Sequence, residues 1–254
     1  MVGIYFSGTG NSRYALQIFL DKLDKTAKLY AIEDKTIVGY IKNNDKIIFS
    51  YPVQYSNIPK IVKDFIDDNR NIWQDKKIFV IATMGLFSGD GAGMLGRYLH
   101  RYGAQIVGGL HVQMPDSIAD EKVLKRSTEK NKALVKKAER KIENAVIYIK
   151  DGKIPQEGIG WWYHLAGLFG QRLYFWSKTK HYTDHVKISS QKCIGCGKCV
   201  RQCPMNNIII EQDKAKTKSR CTMCYRCVNI CPRQAITLLG KKIIEQGTIE
   251  KYLS

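Results

Sequence analysis

All eight cysteines of the chain lie between residues 193 and 231, in two runs of the same form. Each run reads C-x2-C-x2-C-x3-C-P, and the cysteines are Cys193, Cys196, Cys199 and Cys203 in the first and Cys221, Cys224, Cys227 and Cys231 in the second. Short CxxC arcs bring three thiolates around one corner of an iron–sulfur cubane. Such clusters move single electrons, so the spacing indicates a redox protein.

Two other uses of eight cysteines are less consistent with this spacing. Four disulfides would suit a small secreted chain, but Met1-Val2-Gly3 leads directly into an apolar strand pattern and not into a signal peptide. Two zinc sites could use the CxxC pairs, but zinc does not require a third cysteine two residues later and a Cys-Pro after three more. We therefore expect a cytoplasmic iron–sulfur protein.

Residues 187–240 resemble the two-cluster module of bacterial ferredoxins. The two halves also repeat outside the cysteines, because Ile208 and Ile236 follow their Cys-Pro at the same offset. In such modules the fourth cysteine of each run cannot fold back to its own triplet and ligates the other cluster. The resemblance therefore implies one [4Fe-4S] cluster on Cys193, Cys196, Cys199 and Cys231, and a second on Cys221, Cys224, Cys227 and Cys203.

The residues before the cysteine runs alternate apolar strands with helical stretches. The predicted strands are 2–6, 28–32, 46–51, 78–83 and 105–113, and the predicted helices are 12–23, 59–68 and 91–102. Five strands interleaved with helices predict a doubly wound parallel sheet of the α/β class. Residues 116–150 form a long charged stretch with apolar residues on one side, which we interpret as a closing amphipathic helix, either continuous or broken once.

The first predicted strand ends in a loop of glycines and hydrogen-bonding side chains, Ser7, Gly8, Thr9, Gly10, Asn11 and Ser12. A strand that turns directly into a helix presents free backbone N–H groups and the helix dipole to a phosphate. Arg13 replaces the third glycine of the GxGxxG fingerprint and no GK[ST] follows, so the pattern favours a phosphate monoester. Glu33 and Asp34 after the second strand leave dinucleotide binding as the alternative.

This loop has the S/T-x-T-G-x-S/T form of an FMN phosphate loop, and the domain resembles the flavodoxin family. The resemblance implies a sheet of order 2-1-3-4-5 with FMN at the switch point. It also implies that the loops after strands three and four flank the flavin ring. The residues assigned to these loops are Pro52, Val53, Tyr55, Ser56, Met84, Gly85, Phe87 and Gly89. Tyr55 and Phe87 either stack on the flavin or are ordinary packing aromatics.

As a whole, the chain resembles a flavodoxin-like domain fused to a small α+β two-cluster ferredoxin domain. We expect these domains at 1–150 and 187–254, joined by an aromatic-rich segment at 151–186 that holds three of the four tryptophans. We interpret this segment as a helix packed between the domains, with an amphipathic membrane-surface or partner-docking helix as the alternative. Its charged and polar residues argue against a transmembrane span.

The formal net charge of the chain is +18. Two oxidised cubanes with their thiolates would contribute about −4, and an FMN phosphate about −2, which leaves a basic protein. The lysines carry no recognisable nucleic-acid-binding signature, so we expect an acidic redox partner, such as a ferredoxin or an oxidoreductase. A solvated surface without a steering role is the alternative.

Three functions are compatible with these features. The first is an electron-transfer protein that passes low-potential electrons between two [4Fe-4S] clusters and FMN and on to a partner redox protein. The second is an FMN-dependent reductase of a small substrate, fed through its own clusters. The third treats the clusters as structural, against which the phosphate loop argues. No nucleophile–base pair is recognisable, and redox through bound cofactors needs none, so we favour the first function and assign no catalytic residue.

Overall fold

The computed structural model describes residues 1–86, 89–122, 125–160 and 185–253. Its main sheet has five parallel strands in the order β2-β1-β3-β4-β5, which confirms the predicted fold. The strands are β1 (Val2–Tyr5), β2 (Lys28–Ala31), β3 (Lys46–Pro52), β4 (Lys77–Met84) and β5 (Gln105–Gln113).

Helices cover both faces of this sheet. They are α1 (Asn11–Leu23), α2 (Ile37–Lys42), α3 (Lys60–Asp68), α4 (Gly91–His100) and α5 (Thr128–Lys150). Side chains of a strand alternate between the two faces, so Ile47 and Phe49 pack with the α2, α3 and α4 side, whereas Ile48 packs with α1 and α5. A sheet buried on both faces explains why the strands read as continuous apolar runs.

Two helical predictions differ from the structure. The helix α2 was not predicted, because it is short and Gly39 at its centre lowers helical propensity. The closing helix was predicted over 116–150, but α5 begins only at Thr128. Ser127 caps it by accepting a hydrogen bond from the Lys130 N–H at 3.3 Å. The described residues between β5 and this cap form an irregular loop that contacts the C-terminal domain.

The C-terminal domain is built from two short antiparallel sheets and two short helices. Its elements are β6 (Lys187–Ile188), α6 (Lys198–Gln202), β7 (Ile208–Glu211), β8 (Lys214–Thr217), α7 (Arg226–Ile230) and β9 (Ile236–Thr237). β6 pairs with β9 and β7 with β8. The repeated isoleucines Ile208 and Ile236 are both buried in the core of this domain, as their equivalent positions in the sequence suggest.

Two segments outside the predicted limits of the flavodoxin-like domain, 1–150, also pack on that domain. Residues 153–159 run beside β5, where Gly109 N–H donates to Pro155 O at 2.8 Å. Near the other end, the 3-10 turn Ile249–Tyr252 lies against α1 and α5, and Ile249 N–H donates to Thr9 O at 2.8 Å. Residues 161–184, which make up most of the predicted linker segment, and Phe87 lie outside the described residues. Among the described helices, none is long and apolar enough to cross a membrane.

Candidate redox centre

Two cavities of the C-terminal domain are each lined by four cysteines. The outer cysteine site is lined by Cys193, Cys196, Cys199 and Cys231. The inner cysteine site is lined by Cys203, Cys221, Cys224 and Cys227. Each cavity therefore takes three cysteines from one run and the last cysteine from the other, which is the grouping expected from the sequence.

Backbone N–H groups point at four of these sulfur atoms. Asn207 N–H donates to Cys203 Sγ at 3.2 Å and Ala235 N–H donates to Cys231 Sγ at 3.3 Å, at the same offset in each run. Ala215 and Met223 supply the other two N–H groups, to Cys193 and Cys221 at 3.3 and 3.2 Å. Hydrogen bonds to cluster sulfurs are one of the features that set a reduction potential.

Burial raises the thiol pKa of three cysteines of the inner site, Cys221, Cys224 and Cys227. Removal from water raises the pKa of Cys221 to about 12 and that of Cys224 to about 11. The pKa of Cys227 is also raised, by burial and then by its neighbouring thiols. Metal ligation requires the thiolate form, so metal binding at this site must release protons.

The loop between β1 and α1 fits a phosphate, although not through every side chain predicted. The buried Ser7 Oγ has no hydrogen-bond partner among the described residues. Thr9 Oγ1 pairs with Ser117 Oγ at 2.7 Å, and such a pair retains one hydroxyl hydrogen for another acceptor. The first N–H groups of α1 have no acceptor within the helix. These groups leave a set of donors at a helix N-terminus, as a phosphate requires.

The two remaining side chains of the loop are engaged inside the protein. Asn11 Nδ2 donates to Pro115 O at 2.7 Å, and Ser12 Oγ pairs with Thr83 Oγ1 at 2.7 Å. Ser12 is fully buried. These bonds fix the loop to the ends of β4 and β5, so Asn11 and Ser12 could contact a phosphate only through their backbone N–H groups.

The loops after β3 and β4 end at the same edge of the sheet as the phosphate loop. Val53 N–H donates to Thr83 O at 2.8 Å, which continues β3 beyond Pro52. Tyr55 and Ser56 follow with φ of 48° and 55° in a tight turn. In the β4 loop, Met84 O accepts from Met114 N–H at 2.9 Å, Gly85 O accepts from Gln113 Nε2 at 2.9 Å, and Gly89 has φ 68°.

The inner cysteine site packs directly on this edge. A Cβ atom on Gly8 would lie 2.1 Å from Cys224 O, so only glycine lets the phosphate loop approach the cysteine loop so closely. Gln54 Nε2 donates to Met223 O at 3.2 Å, and Ile61 N–H donates to Thr222 Oγ1 at 3.2 Å. Two of the three loops expected to surround a flavin therefore contact residues 222–224.

Arg226 links the inner site to the phosphate loop. Its Nε and Nη2 donate to Ser7 O at 3.0 and 2.8 Å, and its guanidinium lies 5.4 Å from the centre of the Phe6 ring. It also forms an ion pair with Glu33. Glu33 is one of the two acidic residues, with Asp34, on which the alternative of dinucleotide binding depended, and in the structure it joins the two domains through Arg226.

Asp120 makes a second link between the domains, which the sequence did not reveal. Its buried carboxylate accepts from Tyr225 Oη at 2.9 Å through Oδ1. Its Oδ2 accepts from three consecutive backbone N–H groups, at 2.6, 2.9 and 3.1 Å, of Leu238, Leu239 and Gly240. Burial, and then the nearby Tyr55 and Asp120, raise the pKa of Tyr225 far above its usual range, so its hydroxyl remains a donor. A lone aspartate in a loop carries no sequence signal for such a role.

The fold and the two cysteine sites define a redox protein of two domains, and comparison with known families agrees. The flavodoxin domain family matches residues 3–114, and the 4Fe-4S dicluster domain family matches residues 185–232. The chain is thus a fusion of a flavodoxin domain and a C-terminal 4Fe-4S dicluster domain. These domains support an FMN- and iron–sulfur-based electron-transfer or redox role.

Solved structures similar to the chain include several flavodoxins. Flavodoxin from Megasphaera elsdenii is 22% identical, with a TM-score of 0.40 over 44% of this chain and 85% of its own. Flavodoxin 2 from Bacillus cereus is 20% identical, with a TM-score of 0.45 over 59% of this chain and 97% of its own. Rubredoxin oxygen:oxidoreductase from Desulfovibrio gigas is 16% identical, with a TM-score of 0.39 over 57% of this chain and 35% of its own. No curated protein sequence matches the chain.

Proposed function

We propose that the protein transfers low-potential electrons between two [4Fe-4S] clusters and FMN, and on to a partner redox protein. The observation that carries this proposal is the approach of Cys224 O to Gly8, which brings a predicted cluster ligand against the phosphate loop. If the two domains moved independently on a flexible linker, the backbone at Cys224 would not be expected to lie so close to Gly8 that a Cβ atom is excluded. A fixed contact replaces a diffusional encounter with an intramolecular step.

The phosphate loop would hold FMN through the Ser7 hydroxyl, the Thr9–Ser117 hydroxyl pair and the N–H groups that begin α1. The loops at 52–56 and 84–89 would flank the flavin ring. FMN would supply an acceptor that takes two electrons in separate steps, whereas a cluster handles one. The loop provides donors for one phosphate and lacks the fingerprint for a pyrophosphate, so we propose FMN and not FAD.

If the last cysteine of each run ligates the cluster of the other run, each cysteine substitution should affect one particular cluster. Cys203 lines the inner site with Cys221, Cys224 and Cys227. Cys203→Ser should therefore remove or alter the inner cluster and leave the outer cluster in place. The matched change is Cys231→Ser, because Cys231 lines the outer site, and it should have the reverse effect. EPR spectra of the two reduced, anaerobically purified variants would show which cluster is lost.

The same experiment can contradict this assignment. If Cys203→Ser damages the cluster bound by Cys193, Cys196 and Cys199, each run binds its own cluster and the crossed arrangement is wrong. Equal loss of both clusters in both variants would show instead that neither site forms without the other. In that case iron analysis of Cys196→Ser, a cysteine of the first triplet, would separate a folding defect from a ligation defect.

If electrons pass from the clusters to FMN within one molecule, the rate constant of flavin reduction should not depend on protein concentration. We expect flavin absorbance to bleach with a first-order rate constant that stays the same over a tenfold range of protein, after the clusters are reduced in a stopped-flow mixer. Second-order kinetics would mean that the domains act as separate carriers. Rapid reduction by NADH or NADPH alone, with turnover of a small substrate, would replace electron transfer by the reductase function.

The charge of the dicluster domain supports an acidic partner. Residues 187–240 contain ten lysines and arginines and two acidic residues, Glu211 and Asp213. Glu211 is paired with Lys216 at 2.9 Å. Exposed charges of one sign accelerate the encounter with a partner of the opposite sign. We therefore propose a ferredoxin or an oxidoreductase with an acidic surface as the redox partner.

A further inference from the structure

We propose that the rim of the outer cysteine site is the surface on which an acidic electron-carrier protein docks. This proposal rests on the electron-transfer function proposed above and assigns the two cysteine sites different roles. The outer site exchanges electrons with the partner, and the inner site connects the outer site to the flavodoxin domain. In the docking step one electron leaves the reduced carrier and enters the outer site, and no bond is formed or broken.

The outer site has an exposed cysteine, whereas the inner site is covered on one side by the flavodoxin-like domain. Cys196 is exposed, and Ile194 beside it has 59% of its surface exposed. Ile210, which lines the same cavity, is 38% exposed. At the inner site Cys224 is buried and its carbonyl contacts Gly8. A protein-sized carrier can therefore approach a cysteine ligand at the outer site.

Positive charge surrounds these exposed isoleucines. Lys198 and Arg233 line the outer cavity and are exposed. Arg201 is exposed on α6, one turn after Lys198, and its Nη2 lies 3.4 Å from Cys196 O. None of these three cations forms a salt bridge within the described residues. Lys214 adds a fourth positive charge, with its Nζ donating to Cys193 O at 2.7 Å.

Small apolar contacts inside a charged rim suit a transient partner. Weak redox encounters bury little surface, and their rim charges govern the association rate and its dependence on salt. Ile194 and Ile210 would supply the apolar contact, and Lys198, Arg201 and Arg233 would select an acidic partner. A cysteine ligand at the centre favours an electron carrier over a nucleic acid or a lipid surface, since neither of those exchanges electrons with a cluster.

A charge reversal at the rim tests this surface by binding. The variant Lys198→Glu/Arg233→Glu is compared with Lys136→Glu/Lys137→Glu, which makes the same change of charge on exposed residues of α5. The probe is a purified acidic 2[4Fe-4S] ferredoxin, oxidised, with affinity measured by calorimetry at low and high salt. We expect the rim variant to bind about tenfold or more weakly at low salt and to lose most of its salt dependence, and the α5 variant to bind within about twofold of the wild type.

Reduction kinetics of the rim variant test whether its outer cluster stays intact. Cluster reduction by the reduced ferredoxin should slow in the rim variant, whereas reduction by the small methyl viologen radical cation, which needs no docking surface, should not slow. If both charge-reversal variants bind the ferredoxin equally weakly, the attraction comes from the net positive charge of the whole protein and not from the rim, and the proposal is overturned. Unchanged binding in the rim variant would also overturn it, as would binding to phosphatidylserine vesicles that the rim reversal abolishes while ferredoxin binding persists.

The two proposals fail in different ways. Ferredoxin binding and cluster reduction report on the rim, and the later bleaching of flavin absorbance reports on transfer to FMN. Normal docking and cluster reduction without flavin reduction would refute the electron-transfer function and leave the docking surface in place.

Discussion

Gly8→Ala is expected to weaken the contact between the two domains and to slow the reduction of FMN by the clusters. The new Cβ would lie 2.1 Å from Cys224 O and 3.1 Å from Cys224 C. Both atoms belong to the backbone of the loop that carries three cysteines of the inner site, so they cannot move without displacing that site. Overpacking of this kind costs about 1–3 kcal/mol, and a displaced inner site should lower the first-order rate of flavin reduction.

The matched control is Gly39→Ala. Gly39 lies in α2, and a Cβ atom there would have nothing within 4 Å. Alanine is favoured over glycine in a helix by about 0.5–1 kcal/mol, so this variant should keep or gain stability. Chemical unfolding under anaerobic conditions and stopped-flow flavin reduction measure both effects. Wild-type stability and an unchanged rate in Gly8→Ala would mean that the contact with Cys224 does not position the domains.

The glycines of the phosphate loop show what sequence alone could not resolve. Their spacing predicted a close approach of the backbone to an anion. The structure shows that the space beside Gly8 is filled by Cys224 O, and that beside Gly10 by the side chain of Ile249. Both neighbours are more than 200 positions away along the chain, and a local motif contains no information about such contacts.

Local patterns did predict the elements that carry the site. The strands were predicted within one residue of their observed ends, because buried parallel strands are continuous apolar runs with polar ends. The cysteines that line each cavity are grouped as the resemblance to two-cluster ferredoxins implies. By contrast, the partners of Asn11 and Ser12 are Pro115 and Thr83, which only the folded sheet brings near. Polar side chains predicted to face a phosphate can therefore point into the protein instead, with no local sequence pattern to indicate it.

Asp120→Ala is expected to destabilise the fusion more than a change at any other acidic residue of the same loop. The carboxylate accepts hydrogen bonds from the Tyr225 hydroxyl and from three backbone N–H groups of the C-terminal domain. Its removal leaves four donors without this acceptor, and two of them, on Tyr225 and Leu238, are buried. A hydrogen bond to a charged group contributes about 1.5–3 kcal/mol, but such losses are not additive, so we expect a decrease of about 3–5 kcal/mol in the free energy of unfolding.

The neighbouring Asp116→Ala variant is the control for this change. Asp116 accepts one hydrogen bond, from Ile118 N–H at 3.2 Å, and lies 3.9 Å from Lys125 Nζ. Burial raises the pKa of Asp116, which means that folding disfavours its charged form. Its removal should therefore cost about 1–2 kcal/mol, the loss of a single buried acceptor. Anaerobic denaturant unfolding of both variants, followed by intrinsic fluorescence, provides the comparison.

The effect of Asp120 should also reach the inner cysteine site. Tyr225 stands between Cys224 and Arg226, so its hydroxyl bond to Asp120 holds the loop that carries an inner ligand and the arginine that contacts Ser7. We expect Asp120→Ala to lose inner-site iron before outer-site iron, and Asp120→Asn, which keeps one acceptor oxygen, to fall between the alanine variant and the wild type. Equal stability of the Asp120 and Asp116 alanine variants would show that this carboxylate does not join the two domains. Loss of outer-site iron first would show that it does not support the inner site.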